Sequence, residues 1–362
     1  MLYYFLYPLR DSFTVLNVFK YITFRALGAS VTAFLLSLLL GPMIIKWLSH
    51  AKIINLVKRE HAEKIHSFYA DKIEVPTMGG VLIVGAILLS NLIWGNLQNF
   101  YFVLSLIVVL WFGVIGFIDD WLKIKMRNTR GLSGRVKLLG QISLGFIIGL
   151  ILYLDPGFSK SLYVPFFKGV MIPLGIGFIP FVIVVLVGTS NALNLTDGLD
   201  GLAVGCLAFA AGAFSFLTYI AGRFDFANYL GIPFIMGSGE LAVFCASLVG
   251  ASVGFLWYNS YPATIMMGDI GSLSLGGALG IVAIVIKNEL VLLIVGGIFV
   301  WEALSVIIQV FSFRVFKRRV FLMSPFHHHL QLKGWPESKV TIRLWILAFV
   351  LALIGLSTLK LR

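Results

Sequence analysis

The chain has 362 residues, of which 59% are hydrophobic and 12% are charged, and its formal net charge is +12. A soluble domain has about twice that charged fraction, so the composition excludes a chain of soluble domains. It predicts an all-α integral membrane protein, in which helices satisfy their own backbone hydrogen bonds within the bilayer. The net charge could indicate nucleic-acid binding, but basic loops facing the cytoplasm explain it better, and no nucleic-acid partner is expected.

Apolar segments long enough to cross a bilayer, about 20 residues each, follow one another along the chain. We count about ten transmembrane helices, at residues 24–48, 78–97, 100–118, 138–154, 170–190, 201–221, 240–258, 271–287, 290–311 and 341–359. The linkers between them are too short to separate domains. Residues 1–362 are therefore predicted to form a single polytopic membrane domain.

Lysine and arginine are distributed unevenly between the two sets of loops. The loops after odd-numbered spans hold 17 of these residues, whereas the termini and the remaining loops hold eight. Because lysine and arginine accumulate in cytoplasmic loops, this asymmetry predicts cytoplasmic odd-numbered loops and both termini on the outer side.

Five carboxylates adjoin the ends of apolar spans on the predicted cytoplasmic side. They are Asp119, Asp120, Asp197, Asp200 and Asp269. A carboxylate at the membrane boundary is costly and usually marks a functional site. Adjacent acids such as Asp119 and Asp120 repel each other unless a cation lies nearby, which indicates a cation site or a base. A solvated helix end neutralised by Lys123 and Lys125 is an equally good interpretation of this pair.

The segment 191–203 concentrates amide and carboxylate side chains beside an apolar span. These are Asn191, Asn194, Asp197 and Asp200. With Thr196 as the N-cap of a new helix, the two acids would share one face of that helix. The segment indicates a hydrogen-bonding pocket for a nucleobase, a sugar or a metal. A helix cap followed by a tight turn is the plainer alternative.

Asp269 lies between two glycines, ahead of a predicted helix whose N-terminus could hold an anion. An aspartate beside a phosphate-binding helix start commonly presents Mg²⁺ to a diphosphate. The alternative is that Asp269 or Ser272 is only the N-cap of this helix.

Lys72 precedes the segment 76–80, which leads into the second predicted span. It could supply a cation for phosphate or be an ordinary loop charge.

Three consecutive histidines, His327, His328 and His329, lie in the last predicted cytoplasmic loop. Consecutive side chains point in different directions, so contact with phosphate is favoured over a zinc site. Glu302 lies within the ninth predicted span, where a polar partner or a cavity is expected. A cation or solute transporter would place its ionisable groups at this depth, but most of the acids lie at one face.

Together these segments resemble the phospho-N-acetylmuramoyl-pentapeptide-transferase family, which belongs to the polyprenyl-phosphate N-acetylhexosamine-1-phosphate transferases. The resemblance extends from Pro76-Thr77-Met78-Gly79-Gly80 to Arg343-Leu344-Trp345. It includes the aspartate pair, the segment 191–203, Met267-Gly268-Asp269, and the triple histidine with Gly334-Trp335. The triple histidine and the Gly-Trp after it indicate the muramoyl branch.

The resemblance implies an Mg²⁺-dependent enzyme of the bacterial cytoplasmic membrane, often a homodimer, with its active site facing the cytoplasm. It would transfer phospho-MurNAc-pentapeptide from UDP-MurNAc-pentapeptide to undecaprenyl phosphate, giving lipid I and UMP. The alternatives are a sibling transferase that uses another UDP-sugar, such as UDP-GlcNAc, and, from a different class, a transporter.

The resemblance also implies roles for individual residues. Asp269 would bind Mg²⁺. The implied catalytic residues are Asp119, Asp120, Asp269 and His328. The implied substrate-binding residues are Lys72, Thr77, Lys123, Asn194, Asp197, Asp200, Asn259, Met266, His327 and His329. Met266 stands where the family usually has a phenylalanine that would stack on the uracil, and a thioether can only partly replace that contact.

Overall fold

The computed structural model describes residues 2–51, 53, 75–126, 131–167 and 170–360. Within these ranges the protein is a bundle of helices, with one short antiparallel hairpin, Ser161–Tyr163 paired with Met171–Pro173. The α-helices are α1 Leu2–Leu6, α2 Ile22–His50, α3 Gly80–Trp94, α4 Phe100–Lys125, α5 Gly134–Leu154, α6 Phe178–Thr196, α7 Leu202–Ala221, α8 Phe224–Leu230, α9 Leu241–Asn259, α10 Gly268–Val285, α11 Glu289–Val295, α12 Gly297–Phe316, α13 Phe326–Leu332 and α14 Glu337–Ser357.

Nine helices of the described part are long and apolar enough to cross a membrane, and α3 is a shorter apolar helix. The prediction of a helical integral membrane protein is therefore confirmed. The ninth predicted span, residues 290–311, differs from the structure because the chain breaks at Gly296 into α11 and α12. The exact number of membrane crossings and the side of the termini stay predictions.

Helix α10 lies at the centre of the bundle, and almost all of its residues are buried. It packs against α3, α4, α6 and α7. Its sequence mixes glycine, serine and alanine with branched apolar residues, and small residues let neighbouring helices approach closely where apolar burial alone gives little driving force. The first turn of α10, which carries Asp269, is therefore held by several neighbours.

Gly116 of α4 marks one close approach to α10. A Cβ atom on Gly116 would overlap the backbone carbonyl of Asp269, whereas a Cβ on Gly85 of α3 would meet no atom within 4 Å. We expect Gly116→Ala to reduce the free energy of unfolding by about 1–3 kcal/mol through overpacking. Gly85→Ala, the matched control, should be neutral or stabilising because alanine favours a helix. Thermal unfolding in detergent measures both, and equal melting temperatures would contradict the packing described here.

Candidate active site

Three carboxylates from two distant parts of the chain meet at one end of the bundle. Asp119 and Asp120 are buried near the end of α4, and Asp269 lies in the first turn of α10. One oxygen from each of the three lies within 4.8 Å of the other two. The helix packing described above thus concentrates three acidic groups at one point.

Two lysines neutralise part of this acidic cluster. Lys123 follows the aspartate pair by one helical turn, so its ammonium reaches back over them. Its Nζ lies 2.6 Å from Asp119 Oδ2, 3.3 Å from Asp120 Oδ1 and 3.0 Å from Asp269 Oδ2. Lys137, in the first turn of α5, places its Nζ 2.7 Å from Asp269 Oδ2. The oxygens therefore converge on positive charge.

Backbone amides orient the aspartate pair. Asp120 Oδ2 accepts hydrogen bonds from the backbone N–H groups of Asp269 at 2.8 Å and Ile270 at 3.3 Å. Asp119 Oδ1 accepts from the N–H of Leu132 at 2.7 Å. Asp120 thus caps α10 from another helix. The alternative in which Asp269 or Ser272 is the N-cap is wrong, because both lie inside the helix.

Asn194, near the end of α6, brings a third element to the cluster. Its Nδ2 donates to Asp269 Oδ1 and to Ser272 Oγ, both at 2.7 Å. The amide holds the Asp269 carboxylate so that Oδ2 faces the lysines. Asn194 therefore orients the acid on which the cluster depends.

The chain after Asn194 differs from the prediction of a new helix capped by Thr196. Thr196 is the last residue of α6, and its hydroxyl donates back to the carbonyl of Ala192 at 2.8 Å. Helix α7 begins only at Leu202, after Gly201 adopts a φ of 72° that glycine tolerates best. Asp197 and Asp200 therefore lie in a loop and do not share a helix face.

Asp197 lies beside the cluster, and its surroundings raise the pKa of its carboxyl group. Burial disfavours its charged form, and the negative charges of Asp269 and Asp120 add to the effect, so the pKa of Asp197 is raised to about 8. In its protonated form this carboxyl can donate a hydrogen bond to a carbonyl or phosphate oxygen of a ligand.

Asp200 and Asn259 use their polar atoms to hold loops together. Asp200 Oδ2 accepts from the N–H of Ala263 at 3.0 Å. Asn259 Oδ1 accepts from the N–H of Gly201 at 3.1 Å, and its Nδ2 donates to the carbonyl of Ile265 at 2.8 Å. Both side chains are buried. They fix the loop that carries Asp197 and the loop that leads into α10 and Asp269.

The predicted residues Thr77 and Met266 lie on two segments that run beside each other. The N–H of Met266 donates to the carbonyl of Pro76, and its carbonyl accepts from the N–H of Gly79, each at 2.8 Å. This pairing brings the Thr77 hydroxyl next to Gly268, one residue before Asp269. The predicted residue Lys72 lies outside the described residues.

The three histidines have separate environments. His327 and His328 are buried, and His328 Nδ1 lies 2.9 Å from Gln331 Oε1. His329 Nδ1 accepts from the N–H of Leu322 at 3.1 Å. Burial and the charge of Lys333 lower the pKa of His329. The rings therefore point to different partners, in line with the preference against a three-histidine zinc site.

Glu302 of α12 is fully buried and meets the histidine segment. Its carboxylate accepts from the backbone N–H of His327 at 3.2 and 3.3 Å, and its Oε2 lies 3.2 Å from His327 Nδ1. The expected polar partner is thus present. Through these contacts Glu302 holds the first turn of α13. Glu302 was the main sequence feature in favour of a transporter, so this structural role weakens the transporter interpretation.

The acidic cluster fits a divalent cation of the Mg²⁺ type. Carboxylate oxygens are the hard ligands that Mg²⁺ prefers. The three oxygens already gather around a positive charge, the ammonium of Lys123. A cation with two positive charges would balance the three acids more fully.

Lys137 is the member of the cluster that the sequence did not single out. In the sequence it is one of six basic residues in the loop between the third and fourth predicted spans. A usable signal lies one turn later, where Gln141 interrupts the apolar helix α5 and accepts from Asn191 Nδ2 at 2.8 Å. A polar pair one turn apart marks the face of α5 that is directed at the site.

An apolar bundle with an acid–lysine cluster at one end is the arrangement expected of a membrane enzyme that acts on phosphate groups. A family model described as "Glycosyl transferase family 4" matches residues 101–287, which include the whole cluster.

Curated relatives identify the family within this class of membrane enzymes. Phospho-N-acetylmuramoyl-pentapeptide-transferases from Geobacter sp. (strain M21), Desulfotalea psychrophila and Thermodesulfovibrio yellowstonii are 49%, 50% and 51% identical to the chain. Each alignment covers 100% of both chains. The chain therefore belongs to the phospho-N-acetylmuramoyl-pentapeptide-transferase family.

Proposed function

We propose that the protein transfers phospho-MurNAc-pentapeptide from UDP-MurNAc-pentapeptide to undecaprenyl phosphate, releasing UMP and giving lipid I. The observation that carries this proposal is the cluster of three carboxylates and two lysines at the end of an apolar bundle. Phosphoryl transfer mostly requires positioning and charge neutralisation, which such a cluster supplies. The names of the full-length relatives support phospho-N-acetylmuramoyl-pentapeptide as the transferred group.

An apolar cavity supports a lipid acceptor. It has a volume of about 460 Å³ and lies between α6, α11 and α12. Its wall includes Ala192 and Leu193, the residues just before Asn194, so one end approaches the acidic cluster. A polyprenyl chain can leave the surrounding lipid for such a cavity and be held there by van der Waals packing. The lipid phosphate would then reach the cluster while its chain stays in the membrane.

The residues of the cluster would share the chemistry as follows. Asp119, Asp120 and Asp269 would hold Mg²⁺, which neutralises the donor pyrophosphate when bound. Lys123 and Lys137 would bind phosphate oxygens. An oxygen of the lipid phosphate forms a bond to the sugar-linked phosphorus as the bond from that phosphorus to the UMP oxygen breaks, and UMP leaves. Asn194 and Asp197 would line the nucleoside side of the site, with His328 near the sugar phosphate.

The orientation in the membrane is part of the proposal. The basic loops support a position of the cluster on the cytoplasmic side of the bacterial cytoplasmic membrane, where a soluble nucleotide donor is available. Both termini then face outward. Residues 1–362 act as one domain, and the homodimer implied by the resemblance stays a prediction.

One assay tests the function. Purified protein, Mg²⁺ and undecaprenyl phosphate are incubated with UDP-MurNAc-pentapeptide or UDP-GlcNAc, and UMP release is measured. We expect UMP from the muramoyl donor. UMP from UDP-GlcNAc alone would assign the sibling activity, and no UMP from either donor would refute both. If labelled donor without lipid left a phosphosugar on the protein, direct attack by the lipid phosphate would be wrong and a carboxylate nucleophile would take its place.

A further inference from the structure

A second cavity, apart from the acidic cluster, lies on the connection between α12 and α14. It has a volume of about 530 Å³. Its lining residues are Arg319, Val320, Phe321, Leu322, His329, Leu332 and Lys333. Among these described lining residues two are cationic and none is acidic. Such a lining attracts a negatively charged group.

The short helix α13 separates this cavity from the active site. His327 and His329 are two residues apart, about 200° around a helix, so they lie on opposite faces. The ring of His327 packs directly against Gly198, in the loop of Asp197 and Asp200. His329 lines the cavity on the other face. One face of α13 thus contacts the active-site loop and the other contacts the basic cavity.

His329 is prepared to donate a hydrogen bond in its neutral form. Its Nδ1 accepts from the N–H of Leu322, so in the neutral ring the proton lies on Nε2. The rings of Phe321 and Phe326 both pack against the imidazole, each with its centroid 5.6 Å away, and they also pack against each other. The side chain is therefore held in place, unlike the exposed lysine and arginine that flank it.

Building on the proposed function, we propose that this cavity binds the carboxylates of the peptide part of the donor. A peptide of five residues is long enough to reach this cavity from the active site. A helix with its side chains is about 10–12 Å across, whereas five extended residues span about 17 Å. A peptide that starts at the sugar on the Gly198 side of α13 can therefore pass over this helix and place its carboxylates between Arg319 and Lys333. The apolar lining residues then pack against its uncharged side chains.

The cavity would make the enzyme selective for donors that carry the peptide. Charge-assisted hydrogen bonds to a carboxylate are roughly twice as strong as neutral ones. Because these contacts lie far from the reacting phosphorus and are the same before and during the reaction, they lower KM and leave kcat unchanged.

The test uses a double variant, Arg319→Gln with Lys333→Gln, and two synthetic donors that differ only in whether the peptide carboxylates are free or amidated. For the unaltered protein we expect amidation to raise KM about tenfold, with kcat unchanged. The double variant should show this higher KM with both donors. Arg318→Gln, an exposed neighbour that does not line the cavity, is the matched control and should behave like the unaltered protein.

Two results would overturn the inference. One is an effect of amidation that is equal in the unaltered protein and the double variant. The other is a loss of activity in the double variant that appears only in nanodiscs containing anionic lipid, which would assign the cavity to lipid headgroups. Failure of the proposed function itself looks different, since then neither donor gives UMP with the unaltered protein.

Discussion

Asp269→Asn should abolish turnover while the protein remains folded. Asparagine keeps the size of the side chain but removes the negative charge that Lys123 and Lys137 contact at 3.0 and 2.7 Å. It also removes one anionic ligand from the proposed Mg²⁺ site. We expect kcat to fall by about 10³-fold or more, as for the loss of a principal electrostatic group. UMP release measures the effect.

The fold should tolerate this change because Asp120, and not Asp269, caps helix α10. Asp225→Asn is the matched control, since its carboxylate is 83% exposed and it lies in α8, beyond the C-terminal end of α7. The control should keep full activity. Turnover of Asp269→Asn within tenfold of the unaltered protein, at an equal level of folded protein, would refute the central role of Asp269.

Lys123→Gln should destabilise the protein when divalent cations are removed. Without the ammonium, the three acids within 4.8 Å of one another repel, and among the described residues Lys137 is the cation that remains to offset them. We expect the melting temperature in EDTA to fall by several degrees and Mg²⁺ to restore most of the loss. Turnover should fall by about 10²-fold, because one cation that binds phosphate is missing.

Lys125→Gln is the control for this variant, since Lys125 is an exposed lysine two residues further along the same helix. It should melt like the unaltered protein with and without Mg²⁺. If Lys123→Gln in EDTA also melted like the unaltered protein, Lys123 would not hold the acids together. If Mg²⁺ did not relieve the destabilisation, the cation site would not lie at this cluster.

The membrane architecture could largely be predicted from the sequence, because hydrocarbon demands long apolar helices and leaves a clear pattern. The break at Gly296 could not be predicted from the sequence. Residues 289–316 are apolar on both sides of the glycines, so hydropathy alone does not show where one helix ends and the next begins. The break depends on packing, in which α11 contacts α14 while α12 contacts α6.

The sequence also predicted that acids from distant segments face one side of the membrane, but not which acids meet. Asp269 and Asp200 look equivalent in the sequence, yet one enters the cluster and the other binds the N–H of Ala263. The difference is that Asp269 lies in the first turn of α10, close against Gly116 of α4, whereas Asp200 lies in the loop before α7. Lys137 was overlooked for the same reason.

Anomalous scattering from Mn²⁺, soaked into crystals of the purified protein in place of Mg²⁺, tests the central claim most directly. We predict one strong peak between the carboxylates of Asp119, Asp120 and Asp269, at an oxygen–metal distance of about 2.1 Å from at least one of them. The same peak should be absent from Asp269→Asn crystals. An active preparation whose Mn²⁺ lies elsewhere, with no density at these three acids, would contradict the proposed site.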